Sequence, residues 1–172
     1  DLDIQVMAIH PVSPSLMAAG TFSGNIFTSE DSGLHWTWST QLTRTASRLY
    51  FNPYEQLELW AMSRTDTDPH VEGKGYLYRS TDVVNWTTLA MNIQPGGPAH
   101  AQMAFLPGST WLASGCVYST TDSGTNWHEV SCPDAGACAI AISPAASDTI
   151  YMGSDLGVRK SVDGGQTWKD AN

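Results

Sequence analysis

The feature that most constrains the fold is a short pattern, Ser/Thr-x-Asp-x-Gly-x-x-Trp, which recurs along the chain and is cleanest at residues 161–168. A Ser or Thr and an Asp two residues later can hydrogen-bond the backbone N–H groups of a tight turn. Glycine permits a positive φ at no steric cost. Tryptophan then offers a large apolar surface for burial. Each copy therefore predicts a capped turn between two antiparallel strands, anchored by an indole.

Four copies are present, and the second is degenerate because it lacks the glycine and is one residue shorter before its tryptophan. We expect its turn to be distorted. In chain order the pattern residues are Ser29, Asp31, Gly33 and Trp36; Ser80, Asp82 and Trp86; Thr120, Asp122, Gly124 and Trp127; and Ser161, Asp163, Gly165 and Trp168.

The four aspartates, at positions 31, 82, 122 and 163, are separated by 51, 40 and 41 residues. Each repeat has one internal order: an alternating strand A, a proline-marked turn, strand B, strand C leading into the pattern, and strand D after it. A period near 40 residues with four short strands is typical of β-propeller blades. We therefore predict an all-β fold of four-stranded antiparallel blades, with four blades at about 4–41, 46–91, 100–131 and 138–172.

The four copies resemble the Asp-box, or BNR repeat, of sialidases, xyloglucanases, sortilin-type receptors and photosystem II assembly factors. The resemblance implies a β-propeller in which the box is a structural turn on the outer rim of each blade, not a catalytic centre. We expect a single propeller domain over residues 1–172. Three arrangements remain open: closure of the four blades alone, a larger propeller of which these are a part, and completion by another chain.

The charge balance limits the partners. Eight Lys and Arg face seventeen Asp and Glu, a net charge of −9, so a nucleic-acid or anionic-membrane partner is disfavoured. No apolar run is long enough to cross a bilayer. Low lysine content, abundant Ser, Thr, Gly and Trp, and three cysteines favour an extracytoplasmic protein: secreted, periplasmic or surface-exposed.

Because antiparallel strands alternate in direction, the A–B and C–D turns share one side of a blade, the box side. The B–C and D–A connections share the other, the loop face, where the longer and more varied loops lie and where we expect binding. The candidate binding residues there are Arg44, Asp66, Asp68, His70, Glu72 and Asp134.

No cofactor and no metal site are predicted, with calcium as a minor alternative. Asp66, Asp68 and Glu72 alternate as calcium ligands do, but Pro69 and the lack of a central glycine argue against an EF-hand. Arg79 and Arg159 each precede a box and are interpreted as structural.

The cysteines leave the disulfide pairing open. Cys132 and Cys138 flank a short loop and form the candidate disulfide, and Cys116, at the start of a strand C on the same face, is the competing partner.

The leading functional hypothesis is a non-enzymatic binding or assembly scaffold that presents its loop face to a protein or glycan partner. One form of this hypothesis makes the chain part of a larger assembly. The alternative is a glycoside hydrolase propeller, sialidase-like or xyloglucanase-like, or a fragment of one. A hydrolase needs two facing carboxylates, and a scaffold does not. The Arg-Ile-Pro segment of sialidases is missing.

Overall fold

A computed structural model describes residues 2–63, 76–89, 101–133, 136–143 and 145–171. Across these residues the chain forms sixteen β-strands and no helix, in four antiparallel sheets of four strands each. Consecutive strands are neighbours in every sheet. The predicted fold class is confirmed, and we call the sheets blades 1 to 4 in chain order. None of the described residues forms a helix that could span a membrane.

The strand bounds follow the four repeats. Blade 1 contains β1 (Ile4–Ile9), β2 (Met17–Thr21), β3 (Asn25–Ser29) and β4 (Thr37–Gln41). Blade 2 contains β5 (Ala46–Phe51), β6 (Leu59–Ser63), β7 (Tyr76–Ser80) and β8 (Trp86–Leu89). Blade 3 contains β9 (Gln102–Leu106), β10 (Ser109–Ser114), β11 (Cys116–Thr120) and β12 (His128–Ser131). Blade 4 contains β13 (Ala137–Ile142), β14 (Ile150–Ser154), β15 (Gly157–Ser161) and β16 (Lys169–Asp170).

The chain divides into two compact units, Asp1–Met91 and Asn92–Asn172. In the first unit, blades 1 and 2 share one hydrophobic core. Ala18 and Ile26 of blade 1 and Leu59 and Ala61 of blade 2 are completely buried in it, and Trp86 packs against it. The indole of the second box thus fills the seam between its own blade and the preceding one.

The second unit repeats this arrangement with different side chains. Trp111 and Ala113 of blade 3 are buried with Ile150 and Met152 of blade 4 in one core, and Trp168 packs against that core. The same seam geometry is therefore built twice, each time with the box tryptophan of the later blade.

Backbone hydrogen bonds join the turns at each end of a blade. On the box side, Ser32 N–H donates to Ser15 O at 3.0 Å, so the first box is tied to the A–B turn of its own blade. On the loop face, Leu42 N–H donates to Gly24 O at 2.8 Å. A Cβ on Gly24, whose φ is 87°, would lie 2.7 Å from Leu42 O and Arg44 O, so this close approach requires glycine.

Candidate functional site

The four repeated patterns, which we call boxes, are hydrogen-bonded turns. In the fourth box, Ser161 Oγ donates to Asp163 Oδ1 at 2.7 Å and accepts from Gly165 N–H at 2.8 Å. Asp163 Oδ1 also accepts from Thr167 N–H at 2.9 Å. Trp168 Nε1 donates to Gly165 O at 3.0 Å. The first box makes the same four contacts with its own residues. In the third box, the Thr120 hydroxyl and the Asp122 carboxylate make the corresponding contacts.

The residue before each tryptophan also belongs to the box, and pattern reasoning missed it. Its side chain donates to the second carboxylate oxygen of the box aspartate, as Asn126 Nδ2 does to Asp122 Oδ2 at 2.7 Å. The four residues are His35, Asn85, Asn126 and Thr167. All four side chains carry a hydrogen-bond donor, and this shared property is the signal in the sequence that could have identified them.

Two consecutive residues adopt positive φ in each complete box. The fourth box uses Gly164 at 68° and Gly165 at 88°. The first and third place a serine before the glycine, with φ of 62° in both. Gly165 is required by packing as well, because a Cβ there would lie 2.9 Å from Val130 Cγ1 and 3.1 Å from Trp111 Cη2 in the preceding blade.

The shortened second box keeps its aspartate contacts but replaces the tryptophan contact. Only Val83 has a positive φ, of 54°, an unfavourable conformation for a β-branched residue. Trp86 Nε1 donates to Ser39 Oγ at 2.9 Å, and Ser39 Oγ donates to Val83 O. A hydroxyl of blade 1 thus bridges the indole and the turn carbonyl, which meet directly in the first and fourth boxes.

Replacing Ser39 with alanine should destabilise the chain by about 1–3 kcal/mol, because it leaves the Trp86 N–H and the Val83 carbonyl without their bridging partner. Thr37→Ala, at an exposed position on the same strand, is the matched control and should change stability by less than about 0.5 kcal/mol. Urea unfolding followed by tryptophan fluorescence measures both. Equal midpoints for the two variants would contradict the bridging role.

The box carboxylates are held in the ionised form. The pKa of Asp31 falls to about 2, chiefly through the His35 backbone N–H. The pKa of Asp122 falls to about 2 through the Asn126 backbone N–H, and that of Asp163 to about 2 through the Thr167 hydroxyl. The Asn85 amide lowers the pKa of Asp82 further still. A carboxylate that stays ionised cannot act as a general acid near neutral pH, so the box aspartates are unsuited to that role.

A buried polar cluster in blade 2 is a second feature that the sequence patterns did not reveal. Glu58 Oε2 accepts from Arg79 Nη2 at 2.5 Å, and Oε1 accepts from Trp60 Nε1 at 2.6 Å and Asn52 Nδ2 at 3.1 Å. Trp60 is completely buried, and the Arg79 guanidinium carbon lies 5.7 Å from its ring centroid.

Burial alone would raise the pKa of Glu58, but the hydrogen bonds from Arg79, Asn52 and Trp60 outweigh it and lower that pKa. Arg79 therefore neutralises a buried carboxylate of its own blade. The cation that occupies its position in blade 4 is Lys160, which faces Tyr151 as Arg79 faces Trp60. Arg159 lies one residue earlier and bonds Asp170 at 3.2 Å.

On the loop face of the first unit, two aromatic side chains and one cationic side chain are exposed on hydrogen-bonded neighbouring segments. We call these three residues the loop patch: Phe22, Arg44 and Tyr76. Phe22 is 55% exposed and Tyr76 is 41% exposed, and Arg44 is exposed as well. Phe22 follows β2, Arg44 lies in the connection from β4 to β5, and Tyr76 begins β7. Two connections and the start of one strand thus contribute one side chain each.

Hydrogen bonds join the segments that carry the loop patch. Thr45 Oγ1 donates to Phe22 O at 2.8 Å. Tyr78 Oη accepts from Thr43 N–H at 3.2 Å and donates to Thr43 Oγ1 at 3.0 Å. Tyr76 and Tyr78 ring centroids are 6.3 Å apart. Sequence reasoning selected Arg44 alone, because exposed aromatic residues at strand ends carry no motif.

The other candidate binding residues, Asp66, Asp68, His70, Glu72 and Asp134, lie outside the described residues, and so does the calcium alternative built on Asp66, Asp68 and Glu72. Within the described ranges, one group of three metal-binding side chains lies close together: Cys116, Glu129 and Cys132. Two of its members are joined in a disulfide, which removes their thiolates as ligands.

The leading disulfide prediction is wrong. Cys132 pairs with Cys116, its competing partner, at a Cα–Cα distance of 4.2 Å. Val117 lies opposite Ser131 in the β11–β12 pairing, so residues 116 and 132 flank the same end of that hairpin. Cys138 belongs to β13 of the next blade, where its exposed thiol donates to Gly153 O at 3.5 Å.

No protein-family model and no curated protein sequence matches the chain. Solved structures do. A GH74 xyloglucanase from Xanthomonas campestris is 18% identical with a TM-score of 0.75, over 98% of this chain and 30% of that one. YCF48 from Cyanidioschyzon merolae is 16% identical with a TM-score of 0.65, over 98% of this chain and 55% of that one.

A YCF48 structure with a D1 peptide bound is 15% identical with a TM-score of 0.54, over 98% of this chain and 68% of that one. The chain therefore spans about a third of the xyloglucanase and about half of the C. merolae protein. At these identities the likeness shows the fold, and that fold is the β-propeller.

Proposed function

We propose that the chain is a non-enzymatic scaffold whose loop patch binds a protein partner, outside the cytoplasm. The observation that carries this proposal is the loop patch itself: two exposed aromatic rings and an exposed guanidinium on neighbouring segments that are hydrogen-bonded to one another. Tyr and Arg are the side chains that most often dominate binding energy at protein interfaces.

The chemistry of the loop patch indicates the kind of segment it binds. A guanidinium pairs with a carboxylate through two parallel hydrogen bonds, and aromatic rings pack against proline or other rings. We propose a short peptide segment with an acidic group beside an apolar side chain. The binding of a D1 peptide by YCF48, a protein of the same fold, is compatible with this mode.

The disulfide supports the proposed location. Structural disulfides persist in oxidising compartments and are rare in the cytosol. Cys116–Cys132 links the two strands of the β11–β12 hairpin at one end. The composition favours the same location.

The test is binding of labelled protein to an array of short synthetic peptides, made as free acids and as amides, with xyloglucan oligosaccharides on the same surface. The variant Phe22→Ser/Arg44→Ala/Tyr76→Ser should weaken peptide binding at least tenfold, since each anchor contributes on the order of 1–2 kcal/mol. The matched control removes two exposed apolar side chains from the box side, Leu34→Ser/Val162→Ser.

Retention of peptide binding by the loop-patch variant, or its loss in the box-side control, would overturn the assignment. Release of sugar from xyloglucan or from fluorogenic glycosides by the wild-type chain would instead establish the glycoside hydrolase alternative.

A further inference from the structure

The A–B turn of blade 1, residues 10–16, is closed by a buried histidine. His10 is 2% exposed, and its Nδ1 accepts the backbone N–H groups of Ser13 at 2.9 Å and Val12 at 3.2 Å. The backbone N–H of His10 donates to Leu16 O at 2.9 Å across the same turn. One imidazole nitrogen thus receives two of the N–H groups that the turn directs inward.

These contacts assign the hydrogen of the neutral ring to one nitrogen. A ring nitrogen that accepts N–H groups carries no hydrogen itself. The hydrogen of His10 is therefore on Nε2, which lies 3.5 Å from the carbonyl oxygen of Glu55 in the A–B turn of blade 2. The ring also meets Phe51 edge-on, with ring centroids 5.3 Å apart. The closed turn is therefore built around a neutral imidazole.

A second proton can enter this ring only at Nδ1. The protonated nitrogen would be a donor facing two other donors, so the hydrogen bonds from Val12 and Ser13 would break. Histidine is the side chain that ordinarily gains a proton between about pH 8 and pH 5. The closure of this turn therefore depends on the charge of one side chain.

The corresponding turn of blade 2 uses an acceptor that does not titrate. Asn52 follows the first strand of its blade and precedes a proline, as His10 does. Its backbone N–H donates to Glu58 O at 3.0 Å across the turn. Asn52 Oδ1 accepts from the backbone N–H of Tyr54 at 3.0 Å, two residues later. An amide oxygen thus closes a turn of this kind without any dependence on charge.

No carboxylate is in place to receive the hydrogen of a protonated Nδ1. The titratable side chains of β5, of the A–B turn of blade 2 and of the first box, which contact this turn, are Glu30, Asp31, His35, Arg48, Tyr50, Tyr54, Glu55 and Glu58. By strand alternation, Arg48 and Tyr50 lie on the face of β5 opposite to Phe51. Asp31 and Glu58 are bonded to other side chains, and the two other glutamates are exposed. Within the described part of the chain, none of these acids hydrogen-bonds the imidazole.

We propose that the A–B turn of blade 1 is a pH-sensitive switch, closed while His10 is neutral and opened when its ring is protonated at Nδ1. The same turn accepts the Ser32 N–H of the first box at Ser15 O and lies against the Glu55 carbonyl of blade 2. Opening it therefore loosens the box side of the first unit. This switch is separate from the binding proposed for the loop patch.

Hydrogen exchange of backbone amides, measured by NMR at about pH 8 and about pH 5 and corrected for intrinsic exchange rates, tests the switch. The amides of Val12 and Ser13 should lose protection roughly tenfold in acid, because they lose their acceptor. The amide of Tyr54, whose acceptor is Asn52, should keep its protection. Nitrogen NMR of the His10 ring at about pH 8 should show the form with hydrogen on Nε2.

His10→Asn supplies the acceptor that the blade 2 turn uses, and it should keep the amides of Val12 and Ser13 protected at both pH values. His35→Asn is the matched control. It replaces a box histidine whose side chain is 88% exposed with the residue that the second and third boxes carry, and it should respond to acid as the wild type does.

Wild-type protection that is equal at the two pH values overturns the proposal. A His10→Asn variant that still loses protection in acid, or a His35→Asn variant that no longer does, overturns it as well. A wild-type ring with its hydrogen on Nδ1 at about pH 8 has the same consequence, and that measurement needs no variant to fold.

Discussion

Glu58→Ala should lower the free energy of unfolding by about 3–5 kcal/mol, the usual cost of removing one partner from a buried ion pair. The Glu58 side chain is 7% exposed and that of Arg79 is 21% exposed, so the guanidinium would lose its counter-ion where little water can replace it. The Trp60 N–H and the Asn52 amide would lose their acceptor too. Urea unfolding measures the loss, and Glu55→Ala on the same turn is the matched control, with an expected change within about 0.5 kcal/mol.

The stabilisation that Glu58 provides should decrease in acid. Because the pKa of Glu58 lies below its ordinary value of 4.5 in the folded chain, its ionised form stabilises the fold fully above that value. This stabilisation is lost as the pH falls through the lowered pKa. The difference between wild type and Glu58→Gln should therefore be constant near neutral pH and shrink in acid, where the box aspartates titrate equally in both proteins. A difference that grows in acid would contradict the ion pair.

Removing the disulfide with Cys116→Ser/Cys132→Ser should cost about 3 kcal/mol, since the two cysteines are 16 residues apart and the cross-link restricts the unfolded chain accordingly. The wild type in excess reductant should unfold at the same urea concentration as the double variant. Cys138→Ser is the control and should change little, because its thiol is exposed.

Thiol titration of the unreduced protein should give one free thiol per chain, and peptide mapping should assign it to Cys138. A mapped Cys132–Cys138 link, or a Cys138→Ser variant as unstable as the double variant, would refute the pairing.

The sequence was sufficient for the fold because the boxes set both the turn and the repeat. The predicted order of strands A to D reappears in all four blades, down to the two-residue final strand, Lys169–Asp170. The backbone conformation within each box could not be predicted from the sequence and is seen only in the structure. The positive φ of Ser32 and Ser123 comes from the turn geometry, which tolerates serine and leaves no compositional trace.

Contacts between distant residues were the main limit. Cys116 and Cys132 are 16 residues apart but opposite in a hairpin, whereas Cys132 and Cys138 are close in sequence and lie in different blades. Choosing the disulfide partner by its short distance along the sequence therefore gave the wrong pairing. Glu58 and Arg79 likewise meet only because β6 pairs with β7. The loop patch depends on two connections and a strand start that no motif marks.

The Ser39 bridge implies that sequence changes in one repeat depend on the residue present in the repeat before it. A box can lose its glycine and one residue when the preceding repeat carries a hydroxyl three residues after its own tryptophan, as Ser39 follows Trp36. The corresponding residues before the complete third and fourth boxes are Leu89 and Val130, which have none. Shortened boxes should consequently occur together with a serine or threonine at this position of the preceding repeat. The hydroxyl of one blade would then replace a hydrogen bond that the next blade has lost.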